Sequence, residues 1–441
     1  MLTKALRLNS IGTILVLAAL IRIGAAVYWE SKLGDGQSFQ FGDSDGYWHL
    51  ASTIGRGDSY DYNSPHARVF RTPGYPILLS PLFLVTEQPP VWAARLIGVL
   101  LGVISIFLLW LLAKKLFDDS TAVAAAWIAA FYPGAISISI LVLAEALFVP
   151  LMLAQFLCWL MAFRSPKTWS WAVLSLLSGI FFGAACLTRS SWLLFVPFLL
   201  VGGLVFFGHR KRKRQLSTLA MVVPGCVLVM FPWWVRNYEV TGRFVLTSLQ
   251  TGTSLYDGWN PEATGASNMA FAPKMKAASL KEWKSAGRPE REFEFAFNEQ
   301  MKKLAFEWAR ENPGRVTELA WIKLKRIWSP LPNSREIGSK MVRFAIALFF
   351  LPVLLLALVG AWRVRGDGMA MAICVAPAVY FTLLHMVFVG SIRYRHPPMM
   401  TLLILAAAVL AAWVGRKSCN GDGLSRQEAS QTVVGESAAK K

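Results

Sequence analysis

The chain is expected to fold as an all-α polytopic membrane protein with about ten transmembrane helices and two long extracytoplasmic loops containing amphipathic helices. Three observations predict this. Of 441 residues, 55% are hydrophobic and 16% charged, with a mean hydropathy of +0.45; a soluble domain carries about a quarter charged residues. Apolar runs of roughly 20 residues recur, the length at which a helix crosses a bilayer core, and there only helices or closed barrels satisfy their backbone. The third observation is where the basic residues fall.

Ten spans are read at 8–28, 92–113, 120–138, 142–163, 170–188, 191–208, 216–236, 343–362, 369–389 and 397–415. With the N-terminus inside, the short inner segments hold fifteen Lys/Arg: Lys4, Arg7, Lys114, Lys115, Arg164, Lys167, the run from Arg210 to Arg214, Arg363, Arg365, Arg416 and Lys417. The short outer turns hold three: Arg189, Arg393 and Arg395. The positive-inside rule then places both long loops, 29–91 and 237–342, outside the cytoplasm. The net charge of +19 therefore reads as topology rather than as nucleic-acid binding. The basic run from His209 to Arg214, between two spans, is a topology anchor that also meets anionic lipid. The first span lacks a small-residue cleavage site and reads as retained. Arg22 inside it is paired or near an aqueous cavity, or else it snorkels to the headgroups.

Four units follow: a membrane module over 1–236 that includes the first outer loop, an outer loop over 237–342, further spans over 343–415, and a disordered cytoplasmic tail over 416–441. Four of the five cysteines lie in apolar runs (Cys158, Cys186, Cys226, Cys374) and Cys419 in the tail, so neither loop has a disulfide framework. In the second loop, Phe293, Phe297, Met301, Leu304 and Trp308 mark one helical stripe between Glu290 and Arg310. Asn312-Pro313 then reads as an N-cap and first helical residue. The following helix carries Val316, Leu319, Ala320, Lys323 and Ile327 on one side and ends before Pro330. Thr247 to Ala272, rich in Gly, Ser, Thr and Asn, reads as an irregular loop.

The chemistry is expected in the first loop. Between Glu30 and Pro90 it holds six further acids (Asp35, Asp43, Asp45, Asp58, Asp61, Glu87) against four bases (Lys32, Arg56, Arg68, Arg71), a local acidic surplus in a basic chain. Asp43 and Asp45 precede Tyr47, Trp48, Leu50 and Ala51, the start of an amphipathic helix on the membrane. A carboxylate there suits proton acceptance, and two suit oxygen ligation of a divalent cation. Glu145 is the one acid in a long apolar stretch, at the outer end of the fourth span, where an acid is costly unless paired or functional. It is expected to share a cavity with Asp43. Arg71, Arg189, Arg236, Arg393 and Arg395 all fall near the outer surface, and guanidinium forks suit phosphate; headgroup contact is the plainer alternative. His49 and His66 lack partners at zinc spacing, and no Walker loop, dinucleotide fingerprint or serine elbow occurs.

An ordered set of short motifs runs through nearly the whole chain: Asp43-x-x-x-Tyr47-x-x-x-Ala51, Arg71-Thr72-Pro73-Gly74-Tyr75-Pro76, Ala144-Glu145-Ala146-Leu147-Phe148, Leu187-Thr188-Arg189, Pro232-Trp233-Trp234-Val235-Arg236-Asn237-Tyr238, Gly258-Trp259-Asn260-Pro261 and Arg393-Tyr394-Arg395-x-Pro397. In this the chain resembles the bacterial GT-C membrane glycosyltransferases, a group similar to the dolichyl-phosphate-mannose protein mannosyltransferases and the aminoarabinose lipid A transferase. The resemblance implies a GT-C-like fold in a bacterial plasma membrane, a polyprenyl-phosphate sugar as donor, and transfer on the extracytoplasmic side. It implies Asp43 as general base or acceptor-orienting carboxylate, with Glu145 as a second acid and Asp45 beside them. Tyr47, Arg71, Tyr75, Arg189, Arg236, Arg393 and Arg395 would contact substrate. Many members have Asp-Glu at the first motif where this chain has Asp43-Ser44, which leaves the metal site open: no cofactor is certain and a divalent cation is possible.

The donor would bring its own leaving group, so ATP and nucleotide sugars are not required. Carboxylate and arginine are expected on opposite sides of the anomeric carbon, activating the acceptor and holding phosphate. A single displacement would invert the anomeric centre through an oxocarbenium-like transition state. Membrane lipids are expected neighbours, no nucleic acid is expected, and protein partners stay unnamed. The competing readings are a transporter or flippase for a lipid-linked or polar solute, and a non-catalytic assembly factor. Against transport stand the lack of an internal repeat and of matching broken spans.

Overall fold

The computed structural model describes residues 10–34, 37–206, 209–332 and 340–414. The tail expected over 416–441 and the N-terminal Lys4 and Arg7 lie outside them. Helices in chain order are α1 (Ile11–Glu30), α2 (Gly42–Arg56), α3 (Gly74–Leu79), α4 (Pro81–Val85), α5 (Val91–Leu116), α6 (Asp119–Phe131), α7 (Pro133–Ile140), α8 (Glu145–Arg164), α9 (Thr168–Thr188), α10 (Phe195–Phe206) and α11 (His209–Thr241). The long segment after α11 adds α12 (Thr251–Gly258), α13 (Phe271–Ser285), α14 (Phe293–Glu311) and α15 (Pro313–Ile327). Two further spans, α17 (Gly368–Val387) and α18 (Ile392–Val414), follow α16 (Lys340–Arg363).

Among the described residues, eight helices are long and apolar enough to cross a membrane, or nine if the bent pair α6–α7 counts as one span. The expectation of ten differs from this count at two places. The segment at 191–208 forms a shorter apolar helix, Ser190–Gly203. The segment at 120–138 is broken between α6 and α7, which meet at 58°. Pro133 causes the break: it drives Tyr132 into an extended conformation and offers no N–H to the Ala129 carbonyl one turn earlier.

Arg22 repairs this break. It is fully buried, and its guanidinium donates to the Ala129 and Ala130 carbonyls (both 3.3 Å), to Ala18 O and to Ser139 Oγ (both 3.2 Å). Carbonyls without partners in hydrocarbon cost several kcal/mol each, so a cation from α1 stabilises the kink. Of the readings offered, a partnered arginine is the one found: it caps another helix from within the protein.

The core of the bundle is aromatic. Trp192 stacks on Phe195 at 3.9 Å and on Phe381 at 5.5 Å, and its indole N–H donates to Gln155 Oε1 at 2.8 Å. The outward faces of the spans remain apolar and exposed, with Leu20, Val27, Leu100, Leu228, Leu348, Leu355 and Leu358 among them, as a surface solvated by lipid requires. The two ends of the bundle differ in charge. Lys115, Arg164, Lys167 and Arg214 cluster at one end, with Arg164 bonded to the Lys115 carbonyl and Arg214 to the Ala162 and Ser165 carbonyls. Glu145 and Arg189 sit at the opposite ends of the same helices, α8 and α9.

In the long segment between α11 and α16, Phe293, Phe297 and Met301 of α14 are buried together. Asn312 and Pro313 are the N-cap and first residue of α15, as expected; the Asn312 side chain makes no cap bond, and its amide instead donates to Trp308 O at 2.9 Å, closing α14. The stretch from Thr247 to Ala272 is corrected, since α12 lies within it. Glu294 ties the two loops, accepting from the backbone N–H groups of Arg68 (2.8 Å) and Val69 (3.0 Å).

Burial pushes the Glu294 carboxyl up from 4.5 to about 7, against the two backbone donors that lower it. An acid whose folded pKa lies above its unfolded value favours folding when protonated, so its contribution is lost as pH rises. Stability of the loop pair is therefore expected to fall between about pH 4.5 and 7, by on the order of 3 kcal/mol in all. Thermal denaturation across this window checks it: Glu294→Gln, which cannot ionise, should flatten the slope.

Candidate active site

The site is assembled from five separated segments. Asp43 enters in the first turn of α2, where a negative charge complements the helix dipole. Gly46 in the next turn keeps the helix open to Tyr62, because a Cβ there would meet the Tyr62 ring at 2.3 Å. Ser44, the departure from the Asp-Glu pattern, is buried and donates to the Leu141 carbonyl at 2.8 Å. It therefore tethers α2 to the turn that precedes Glu145.

That turn holds Val142 at φ +53°, a left-handed conformation that costs a β-branched residue of order 1–3 kcal/mol. It delivers Glu145, fully buried, into the first turn of α8. Arg189 follows the last residue of α9. Gly74 lets the Arg71 segment lie against this end of α9, since a Cβ on it would sit 2.7 Å from the Leu187 carbonyl. Arg393 lies in the turn that opens α18, with its N–H capped by Ser391 Oγ.

Together these residues form one alternating chain of charges. Arg71 Nη2 donates to Asp43 Oδ1 at 2.5 Å, and Arg393 Nη1 donates to Asp43 Oδ2 at 2.6 Å. Arg393 also grips Glu145, with Nε to Oε1 at 2.5 Å and Nη2 to Oε2 at 3.0 Å. Arg189 Nη1 reaches Glu145 Oε1 at 2.6 Å. Aromatic faces flank the ends: Arg71 lies over Tyr47 and Tyr62, and Arg189 over Phe148, Phe381 and Tyr394. Burial alone would raise the Asp43 carboxyl, but Arg71 and Arg393 together hold it well below the usual carboxylate range.

The chain of charges borders a cavity of about 650 Å³. Of the residues singled out in the sequence, Asp43, Tyr47, Arg71, Glu145, Arg189 and Arg393 line it, and Asp45, Tyr75, Arg236 and Arg395 do not. Asp45 is exposed on α2. Tyr75 is buried edge-on against Tyr47 at 5.4 Å. Arg236 packs on Trp233 and Tyr60 and donates to the Arg68 carbonyl at 2.8 Å, so it braces the first loop. Arg395 is buried over Phe350 and bonded to the Ile327 and Ser329 carbonyls, joining α18 to the end of α15. Carboxylate and arginine do not face each other across an open space; they are in direct contact.

Three lining or supporting residues escaped the sequence reading. Asp257 lines the cavity, buried, and accepts from Ser267 Oγ (2.7 Å) and Asn268 N (2.8 Å). Burial raises its carboxyl, opposed by these donors. His385 also lines it. Lys323 is fully buried, and its ammonium donates to the Gly258 (2.9 Å) and Val387 (2.8 Å) carbonyls, bracing α12 against the end of α17. Burial lowers its pKa to about 8. A lysine within the apolar stripe of α15 was the signal available for this strut.

Both carboxylate oxygens of Asp43 and of Glu145 already accept from guanidinium groups. A divalent cation on this pair would have to displace Arg393. Among the described residues no group of three or more His, Cys, Asp or Glu is placed to hold a metal ion. The donor set as arranged does not fit one.

A family profile described as dolichyl-phosphate-mannose-protein mannosyltransferase matches residues 71–235. No curated protein sequence matches the chain. Among solved structures, the archaeal oligosaccharyltransferase AglB from Archaeoglobus fulgidus, in complex with an inhibitory peptide and a dolichol-phosphate, superposes with a TM-score of 0.57 at 15% identity, covering 91% of this chain and 50% of that one. The Archaeoglobus fulgidus oligosaccharyltransferase in its apo form gives 0.56 at 17%, covering 93% and 52%. Its complex with Zn and sulfate gives 0.54 at 16%, covering 91% and 49%. The chain thus spans about half the length of the oligosaccharyltransferases it matches. At these identities the likeness is one of architecture: the chain has the all-α, multi-spanning fold that those oligosaccharyltransferases share.

Proposed function

We propose that the chain is an integral membrane glycosyltransferase that moves a sugar from a polyprenyl-phosphate donor to a lipid, glycan or protein acceptor on the extracytoplasmic face, with inversion. The observation that carries this is the charge chain on the cavity wall. Three guanidiniums against two carboxylates leave one positive charge in surplus, the complement of the single negative charge on a sugar phosphodiester. The surplus grows in value as the leaving phosphate gains its second charge, which is where transition-state stabilisation is most effective.

The direct pairing of Asp43 with Arg71 and Arg393 suggests how the site is switched on. A donor phosphate competes with the carboxylates for the same guanidiniums. A carboxylate that cedes a partner loses the interaction that suppresses its basicity. In the reaction, the acceptor hydroxyl oxygen bonds to the anomeric carbon and the bond from that carbon to the phosphate oxygen breaks. The electron pair stays on the phosphate, held by arginine, and the acceptor's proton passes to Asp43. Basic residues at the far ends of α8 and α9 support a cytoplasmic position for those ends, with the cavity then outside.

Vesicles containing the purified chain and a pool of radiolabelled polyprenyl-phosphate glycolipids test the reading. Label is expected to leave the donor and appear in acceptor, with release of polyprenyl phosphate. Label that only changes leaflet, its donor chemically intact, would identify a flippase instead.

A further inference from the structure

We infer that His385 Nε2, an unpartnered hydrogen-bond acceptor on a residue that lines the cavity, is a binding site for a substrate hydroxyl. This rests on the glycosyl-transfer reading and adds to it a residue outside the charge chain. His385 is buried and lines the cavity beside Tyr394. Its Nδ1 lies 3.2 Å from the Val389 carbonyl. A carbonyl only accepts, so the proton is on Nδ1 and Nε2 carries a free lone pair. Nε2 is buried with no hydrogen-bond partner.

The ring is held against rotation. It lies parallel to Tyr394 at 3.8 Å and 2°, and to Phe381 at 6.2 Å and 8°. The backbone after it is pinned from the outer loop, by Lys323 to the Val387 carbonyl and by Gly390 N to the Gly265 carbonyl at 2.9 Å. Such fixation of an unpaired acceptor is the arrangement that recognises a hydroxyl by leaving the site unsatisfied when the hydroxyl is missing. The three carboxylates on this wall nearest the charge chain and α12 are engaged, Asp43 and Glu145 by guanidiniums and Asp257 by Ser267 and Asn268. Arg189, stacked over the same Tyr394, and Arg393 next to it disfavour an ammonium ligand, so the donor group is a neutral hydroxyl. It belongs either to the transferred sugar or to the attacking acceptor.

The test uses the full chain in vesicles with labelled polyprenyl-phosphate sugar as donor and sugar-free polyprenyl phosphate as competitor. His385→Asn keeps a donor for Val389 and deletes Nε2; His385→Phe keeps the stacked ring and deletes it; His385→Gln restores a polar atom near Nε2. Each deletion is expected to lower kcat/KM by roughly 10- to 100-fold, with competitor affinity unchanged within about twofold and partial recovery in His385→Gln. A rise in donor KM assigns the hydroxyl to the sugar, and a fall in kcat at constant donor KM assigns it to the acceptor. Wild-type kinetics in whichever deletion variant folds would overturn the inference. So would equal losses in all three accompanied by lost competitor affinity, which mark a packing role. If the wild type transfers no label, the glycosyl-transfer reading fails and takes this inference with it.

Discussion

Arg393→Ala is expected to reduce transfer far more than Arg395→Ala, although the two residues are neighbours in one short turn and equally suggestive in sequence. Arg393 is the single group that touches both carboxylates. Its removal takes away one donor-phosphate ligand and leaves two acids sharing a site without the cation between them. Truncating one partner of a hydrogen-bonded charge pair in a desolvated site costs about 2–5 kcal/mol, so kcat/KM for donor should fall by between one and four orders of magnitude. Lysine should restore only part, because a point charge cannot fork to Asp43 and Glu145 together. Arg395→Ala breaks bonds to the Ile327 and Ser329 carbonyls and a stack on Phe350. It should lower the thermal midpoint and leave donor kinetics near wild type. Donor kinetics unchanged in Arg393→Ala would remove phosphate recognition from the charge chain.

The contrast shows what the sequence made legible and what it did not. Hydropathy found the long spans because lipid imposes the same requirement on every crossing helix. It departs from the structure where the described apolar helix is short, at Ser190–Gly203, and where Pro133 divides one run into two helices. Single charges in apolar surroundings were the most informative residues. Glu145 stood out by that criterion and borders the cavity. Arg22 stood out equally and proves to be a cap for carbonyls freed by a proline on another helix. The cost of burying the charge was visible in one dimension; the partner that offsets it was not.

The same limit explains the residues missed. Arg236 and Arg395, expected to serve substrate, spend their guanidiniums on backbone carbonyls. Asp257 belonged to a stretch whose small polar residues masked an eight-residue helix. His385 carries no local pattern at all. Its interest arises from Val389 and Tyr394 closing around the ring, contacts that depend on α17 and α18 packing together.

Asp43→Asn should lower transfer by roughly two or more orders of magnitude, the usual loss when a general base is deleted, while Asp45→Asn, exposed and off the cavity wall, should stay close to wild type. The amide keeps size and one acceptor oxygen but can neither take a proton nor balance two guanidiniums. The pH dependence separates these two deficits. In the free protein, Arg71 and Arg393 depress the Asp43 pKa despite its burial. The group is therefore ionised throughout the ordinary carboxylate range and above it, and kcat/KM should show no acid limb from Asp43 there. Once a donor phosphate draws one arginine away, the carboxyl moves back toward its usual value. An acid limb should then appear in kcat, with activity lost as pH falls through about 4 to 5. The two profiles, measured with wild type and with Asp43→Asn, test both halves of the argument. A limb at the same pH in kcat and kcat/KM would mean that the donor does not loosen the clamp. A limb that survives in Asp43→Asn would assign the titration to another acid, with Glu145 next in line.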